Sequence, residues 1–299
     1  MEWAKLISGR QLLVGLLGLL IVGGALSCNK ADQKEEEQTI RLIYANWSEG
    51  VAMTYLVAEI LESQLGYEVA TKMTDIESVF EQLGNGEYDV FVDAWLPGTH
   101  GEYMEQYGAQ LEDLGVNVNQ VRTGLMVPDY IEAQSISDLE GSMSEIIGIG
   151  SGAGIMASTQ RALEAYNLSL NLLEGSEETM TETLVEAIKR REPIVVTGWT
   201  PHWIYNRYDL KFLDDPQNIY GESEKIHTIA RKNFTTEHAR ASLFFERFDL
   251  TEEQLGALMD EVETFPDNER RAVRNWIKEN EFIVNRWVRG LQPEREKVM

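Results

Sequence analysis

Cysteine is almost absent from this sequence of 299 residues, in which Cys28 is the single thiol. One cysteine excludes an internal disulfide bond and any cysteine-based metal cluster. Histidine is also scarce: the four histidines lack the spacing of metal ligands, and neither an H-E-x-x-H nor a G-x-S-x-G motif occurs. The sequence therefore contains no recognisable metal site and no motif of the common hydrolases.

Basic residues are outnumbered, with 26 Lys and Arg against 50 Asp and Glu, which leaves a formal net charge of −24. Phosphate backbones are bound by a surplus of Lys and Arg, so nucleic acid is excluded as the main partner. A basic face for docking on anionic lipid is disfavoured for the same reason. The hydrophobic fraction of 43% and the charged fraction of 25% are those of a soluble globular protein, which an acidic surface keeps in solution.

No hydrophobic run reaches the roughly 20 residues that a membrane span needs. The longest, residues 12–26, has fifteen uncharged positions, follows a cationic start and ends in small residues. This pattern predicts a secretory signal peptide over residues 1–27. Cys28 comes next, in a lipobox-like sequence, and is the expected lipidation site, although the usual Leu three residues before it is replaced by Ala25. Cleavage by ordinary signal peptidase and an uncleaved anchor stay open as alternatives.

Residues 28–38 are polar and charged, which suits a solvated tether. The rest of the chain alternates between β-rich and helical runs, and this alternation predicts an α/β architecture with largely parallel sheets. Two such units, separated by the stretch at 121–130, make a two-lobed protein with a cleft. The predicted strands are 40–47, 67–72, 88–95, 146–150 and 193–199, and the predicted helices are 51–65, 78–83, 155–166 and the segment from about 237 onward.

Three tryptophans come at the ends of predicted strands, where ligands bind in open α/β sheets. They are Trp47, Trp95 and Trp199, and the last two precede proline-containing turns. Three converging indole faces would form a box that attracts a quaternary ammonium group, because such a cation cannot donate hydrogen bonds. Core packing is the alternative for any one of them, as we expect for Trp203, Trp276 and Trp287.

An anion site would complete a pocket for a zwitterion, and the sequence offers two candidates. His100 follows Trp95 within the same turn, and the glycine run GIGSGAG at 148–154 lies between a strand and a helix. Glycines let backbone N–H groups approach a ligand, and a helix N-terminus favours an anion. A solvated loop histidine and a simple tight turn are the alternatives. The run also matches G-x-G-x-x-A, a weak dinucleotide signature.

Five further stretches of the chain are distinctive: YDVFVDAWLPGTH at 88–100, IGIGSGAGIM at 147–156, PIVVTGWTPHW at 193–203, LKFLDDP at 210–216 and IHTIARK at 226–232. In these stretches the chain resembles the glycine betaine-binding proteins of osmoprotectant ABC importers. The resemblance covers about residues 40–290 and implies the two-lobed type II periplasmic-binding-protein fold, with the ligand cleft between the lobes. It implies lobe 1 over 39–125, lobe 2 over 126–226, and a return to lobe 1 with C-terminal helices over 227–299.

The same resemblance implies roles for six residues. Trp47, Trp95 and Trp199 would cage the trimethylammonium group. The His100 side chain would hold the carboxylate, together with the backbone N–H groups of Gly154 and Ile155.

The resulting prediction is a receptor outside the cytoplasm, anchored to the cytoplasmic membrane through Cys28, or periplasmic if that residue is not lipidated. It would capture glycine betaine and deliver it to an ABC permease and its ATPase, without a cofactor, a metal or a catalytic residue. A receptor for choline, carnitine or proline betaine is the alternative, with choline disfavoured because it has no carboxylate. An enzyme or a sensor acting on quaternary ammonium compounds is a further alternative, and His100 is the one candidate base for an enzyme.

Overall fold

The computed structural model describes residues 39–293, so the predicted signal peptide, tether and lipidation site at Cys28 lie outside the described residues. The strands of the described part are β1 Thr39–Tyr44, β2 Glu68–Met73, β3 Val90–Leu96, β4 Leu111–Pro128, β5 Glu145–Ile147, β6 Asn171–Leu173, β7 Val196–Thr200, β8 Leu210–Phe212 and β9 Glu224–Arg231. Its helices are α1 Ser48–Ser63, α2 Ile76–Gly84, α3 Gly101–Tyr107, α4 Gly154–Ala165, α5 Glu177–Arg190, α6 Phe234–Glu237, α7 Ala239–Phe245, α8 Glu252–Thr264, α9 Glu269–Glu279 and α10 Glu281–Val288. None of these helices is both long and apolar enough to cross a membrane.

The strands follow one another in the order β2-β1-β3-β9-β4-β7-β5-β6, and β8 pairs with β4. Parallel pairs are found toward the two ends of this order, where β1 pairs with β2 and β3, and β5 pairs with β6 and β7. The centre is antiparallel, because β9 lies between β3 and β4, and β4 also pairs with β7 and β8. The prediction of largely parallel sheets is therefore wrong at the centre, where β4 and β9 run against their neighbours.

Strand β4 divides the molecule into two halves. Its residues up to Val121 pair with β9, and its residues from Arg122 pair with β7. We call β1–β3, β9 and the start of β4 the first half of the sheet, and β5–β8 and the end of β4 the second half. The stretch at 121–130, expected to separate two units, instead lies largely within this one strand. The lobe limits predicted after residues 125 and 226 stay a prediction.

Helix starts differ in a way that matters for the site. Helices α2, α5 and α8 are each capped by the side chain of the preceding residue, which accepts a hydrogen bond from a backbone N–H group of the first turn. The capping residues are Asp75, Ser176 and Thr251. The residues before α1, α3 and α4 are Trp47, His100 and Ala153, and none of them forms a side-chain cap. These three uncapped helix starts all border the cavity described below.

The hydrophobic core extends from both faces of the sheet into the C-terminal helices. Trp203, Trp276 and Trp287 are buried in it, which confirms that they are packing residues. A buried ion cluster supports the first half of the sheet: Asp89 accepts hydrogen bonds from Arg41 of β1 and from Arg231 of β9. The cluster links β1 to β9, which are not neighbours in the sheet because β3 lies between them.

Candidate functional site

A cavity that holds about 310 Å³ of space, part of it open to solvent, lies between the two halves of the sheet. It is lined by Trp47, Glu49, Trp95, Thr99, His100, Ile149, Ala153, Gly154, Ile155 and Trp199. The six residues predicted from the sequence are all among them. The first half of the sheet contributes those up to His100, and the second half contributes the rest.

Three indoles line the cavity, and they reach it from different local structures. Trp95 and Trp199 are the penultimate residues of β3 and β7, and each is only 3% exposed. Trp47 is not at a strand end as predicted, because β1 stops at Tyr44. It is instead the residue before α1, half-buried against the core. Each of the three tryptophans is therefore at or near the end of a strand or the start of a helix, and each lines the cavity.

Two of the indoles are held by buried carboxylates. The Trp95 Nε1–H group donates to Asp93 Oδ1 at 2.9 Å, and the Trp199 Nε1–H group donates to Glu49 Oε2 at 3.0 Å. The second bond joins the two halves of the sheet. An indole N–H buried without an acceptor is unfavourable, so these bonds fix the plane of each ring.

His100 is fully buried and its tautomer follows from its contacts. Its Nδ1 accepts the Trp95 backbone N–H at 2.9 Å, and its own backbone N–H donates to the Trp95 carbonyl at 2.9 Å. Burial lowers the pKa of His100 to about 3, so the imidazole is neutral and its proton is on Nε2. Nε2 has no hydrogen-bond partner among the described residues. The ring is therefore a neutral donor, stacked on Trp47 with 5.9 Å between the ring centroids.

Gly154 and Ile155 are the first two residues of α4, so their N–H groups have no carbonyl partner within the helix. Ala153, before them, has no side chain that could accept these groups. A Cβ on Gly154 would lie 2.6 Å from the Thr99 carbonyl oxygen of the first half. Glycine is needed here because the two halves approach so closely. The amides and His100 together offer donors suited to a carboxylate.

A second set of contacts lies beside the cavity, and the contact between Ser48 and Glu177 joins the two halves. Glu177, at the start of α5, accepts a hydrogen bond from the Ser48 backbone N–H at 2.9 Å and another from the Ser48 hydroxyl. His202 accepts the Ile204 N–H on Nδ1, so its Nε2–H donates to Glu177 at 3.0 Å. Glu224 of β9 accepts from the backbone N–H and the hydroxyl of Thr99. These bonds hold the loops that carry Trp47 and His100.

The carboxylates behind the indoles are strongly perturbed. Burial, reinforced by the negative charges of Asp93 and Glu177, raises the pKa of Glu49 well above its usual value. Burial also raises the pKa of Asp93 well above its usual value, against the opposing hydrogen bond from Trp95. Among the described residues, no Lys or Arg forms an ion pair with Glu49, Asp93 or Glu177.

The sequence did not single out four lining residues: Glu49 and Thr99, and also Ile149 and Ala153, which lie within the glycine run at 148–154. Asp93, which interrupts the buried strand VFVDAWL with a charge, was also passed over. A charged residue inside an otherwise apolar strand is a signal of a buried polar role. Glu49 gave no comparable signal, since an acidic residue in the first turn of a helix is common. Within residues 39–293, no cluster of three or more His, Cys, Asp and Glu side chains is placed to hold a metal ion.

Comparison with known proteins gives a family for this arrangement. Residues 38–279 match the family described as the substrate-binding domain of the ABC-type glycine betaine transport system. The chain belongs to this family. It is also similar to the lactococcal protein OpuAC in its closed, glycine betaine-bound structure, with 35% identity and a TM-score of 0.80 over 84% of this chain and 99% of that one.

Two further similar proteins also have glycine betaine in their names. ProX of Borrelia burgdorferi, a glycine betaine/L-proline-binding protein, is 32% identical with a TM-score of 0.80, over 86% of this chain and 97% of that one. The glycine betaine/carnitine transport binding protein GbuC of Listeria monocytogenes is 45% identical over 150 residues, 49% of this chain. The chain thus spans about half the length of this curated relative. The two-lobed periplasmic-binding-protein fold predicted from the sequence is confirmed by these structures.

Proposed function

We propose that this protein captures glycine betaine in the cavity between its two halves and delivers it to an ABC importer. The trimethylammonium group lies against Trp47, Trp95 and Trp199, and the carboxylate accepts hydrogen bonds from His100 Nε2–H and from the amides of Gly154 and Ile155. The observation that carries this proposal is the neutral, buried His100, which lines the same cavity as the three indoles and whose Nε2–H group has no partner among the described residues.

The two ends of the cavity select for a zwitterion. The indole faces attract a cation without offering it a hydrogen-bond acceptor, which suits a quaternary nitrogen. A neutral imidazole and two helix-start amides donate to an anion without placing a full positive charge beside the cation. Choline offers only a hydroxyl to these donors, so we expect it to bind more weakly than glycine betaine.

Calorimetric titration of the purified protein with glycine betaine, carnitine, proline betaine and choline tests the proposal. Glycine betaine is expected to bind, and choline to bind much more weakly. Equal affinity for both would refute the role of His100, Gly154 and Ile155. Carnitine keeps both charged groups and appears in the name of the relative GbuC. We therefore expect it to be the strongest competitor in the panel. Conversion of the ligand over several hours would instead support an enzyme.

The binding component of an ABC importer works outside the cytoplasm, next to its permease and ATPase. Attachment through a lipid on Cys28 would keep the loaded protein close to that permease. The support for this anchor is the sequence alone, in which Cys28 follows the apolar run at 12–26 with only Ser27 between them. Cys28→Ala should leave the protein unprocessed or release it from membranes. Mass spectrometry that finds the mature N-terminus elsewhere would refute lipidation at Cys28.

A further inference from the structure

Behind two walls of the cage lies a pair of buried carboxylates that the ligand contacts proposed above do not use. Glu49 is 2% exposed and Asp93 is fully buried, and each accepts the N–H group of one indole. Glu49 also lines the cavity itself. Glu49 therefore lies close to the position proposed for the trimethylammonium group, and Asp93 lies behind Trp95, one wall of the proposed cage.

The surroundings do not neutralise these carboxylates. The titratable side chains that face them are Glu177 from α5, His202 from the turn after β7, and His100 across the cavity, with Glu263 of α8 behind Glu177 and His202. Of these, Glu177 is a third acid and already accepts from Ser48 and His202. His100 is neutral. No ion pair with Lys or Arg reaches the pair among residues 39–293.

One oxygen of the pair has no partner. Asp93 Oδ2 is buried without a hydrogen bond to any described residue. It lies against the start of α1, where a Cβ on Gly50 would be only 2.8 Å away. A buried carboxylate normally has a counterion or a full set of donors. A cation in the cavity would favour the ionised form of this carboxyl group and balance its charge.

We propose that Glu49 and Asp93 are specificity-determining residues of the cage, which orient Trp199 and Trp95 and give the cavity a negative charge that selects a cation over a neutral group of the same shape. This inference rests on the proposed function. A carboxylate that accepts an indole N–H also pushes electron density into the ring, which strengthens the attraction between its face and a cation.

The test uses a ligand pair that differs only in charge at one atom. In tert-butylacetate a carbon replaces the nitrogen of glycine betaine, so the shape and the carboxylate are kept and the cation is lost. The comparison is made at alkaline pH, because a rise in pH favours the ionised form of both carboxyl groups. Affinities are measured for the wild type, Glu49→Gln and Asp93→Asn, with tert-butylacetate read by displacement of glycine betaine. The amide variants keep an oxygen that accepts the indole N–H and remove the negative charge.

The preference for glycine betaine over tert-butylacetate should fall by roughly tenfold in each amide variant, as expected for the loss of a charge behind an indole that contacts the cation. Glu59→Gln is the matched control, because Glu59 is a buried acid on the same helix that faces Arg274 of α9 and not the cage. Its preference should equal that of the wild type. An unchanged preference in Glu49→Gln and Asp93→Asn would overturn the proposal, and so would equal losses for both ligands.

A measurement on the wild type covers the case in which a variant does not fold. With the pKa of both acids raised in the free protein, a bound cation favours their charged forms, so protons are released and affinity for glycine betaine rises with pH. Calorimetry in buffers of different ionisation enthalpy, at pH values above about 4, the usual pKa of a carboxyl group, should show this release. No release would then overturn the proposal. If the wild type does not bind glycine betaine at all, the proposed function itself fails.

Discussion

Gly154→Ala is expected to weaken ligand binding without harming the fold. The added Cβ would lie 2.6 Å from the Thr99 carbonyl oxygen and 2.8 Å from Thr99 Cγ2, on the opposite side of the cavity. A backbone oxygen cannot rotate away, so the two halves must move apart by a fraction of an ångström. The backbone at Gly154 is not in the left-handed region, and alanine favours helix, so the start of α4 itself accepts the change.

The size of the effect follows from this overlap. Forcing one extra carbon into a close-packed contact costs about 1–3 kcal/mol. If opening the cavity relieves the overlap, that amount appears in the ligand affinity, as a loss of roughly 5- to 150-fold. The alanine keeps the backbone N–H at this position, so the loss reports the approach of the two halves and not a missing donor.

Calorimetry with glycine betaine and thermal unfolding of the ligand-free protein are the two measurements. Gly152→Ala is the matched control, because its Cβ would lie 3.9 Å from Ile76 Cγ2, an ordinary contact two residues away in the same turn. The control should bind like the wild type, and both variants should unfold near the wild-type temperature. If Gly154→Ala binds as tightly as Gly152→Ala, the close approach at Thr99 has no part in binding.

Three further perturbations have defined outcomes. Alanine in place of Trp47, Trp95 or Trp199 should reduce glycine betaine affinity by about 0.5–2 kcal/mol each, and phenylalanine by less because an aromatic face remains; a folded alanine variant with unchanged affinity would remove that indole from the cage. His100→Asn keeps an acceptor for the Trp95 N–H and loses the Nε2 donor, so titration should show a loss of roughly 10- to 150-fold for glycine betaine and little change for tetramethylammonium, which lacks a carboxylate. The pKa of His100 falls to about 3 on folding, so the free energy of unfolding should be highest above about pH 6.5 and should decrease as the pH falls toward 3. In His100→Asn, the free energy of unfolding measured in urea should depend less on pH over that interval. Arg41 and Arg231 hold the pKa of Asp89 below its usual value despite burial, so this cluster stabilises the fold above about pH 4 and loses its effect below it; Asp89→Asn should lower the free energy of unfolding at neutral pH by on the order of 3 kcal/mol, and an unchanged urea midpoint would contradict this.

The site residues that could be predicted from the sequence are those whose position depends on nearby residues, such as the end of an apolar strand or a glycine run before a helix. Trp95 and Trp199 could be placed because each ends a short, strongly apolar strand before a proline. Trp47 was expected at a strand end and lies before a helix, because the chain leaves the sheet at Tyr44, three residues earlier than the apolar pattern indicates. Gly154 could be placed because glycines before a helix mark a backbone that approaches something closely.

The parts that could not be predicted depend on pairings over long distances. The bond between Glu49 and Trp199 joins residues 150 positions apart, and no local pattern specifies it. Strand β4 was missed because Gly115, Gly124 and Pro128 interrupt its pattern, and its register with β9 shifts several times. Its extended form is set by pairing with β9 on one side and β7 on the other, which override these weak local preferences.

The insertion of β9 between β3 and β4 has a consequence for the order of folding. The second half of the sheet is built from one continuous stretch, from Arg122 through β8, so its contacts are comparatively local. The first half needs β1–β3 from the beginning of the chain and β9 from beyond residue 224, and such distant contacts form slowly. We expect pulse-labelling hydrogen exchange to show protection in β5–β7 before protection in β3 and β9. Because residues of both halves line the cavity, we expect ligand binding to appear only after β3 and β9 are protected.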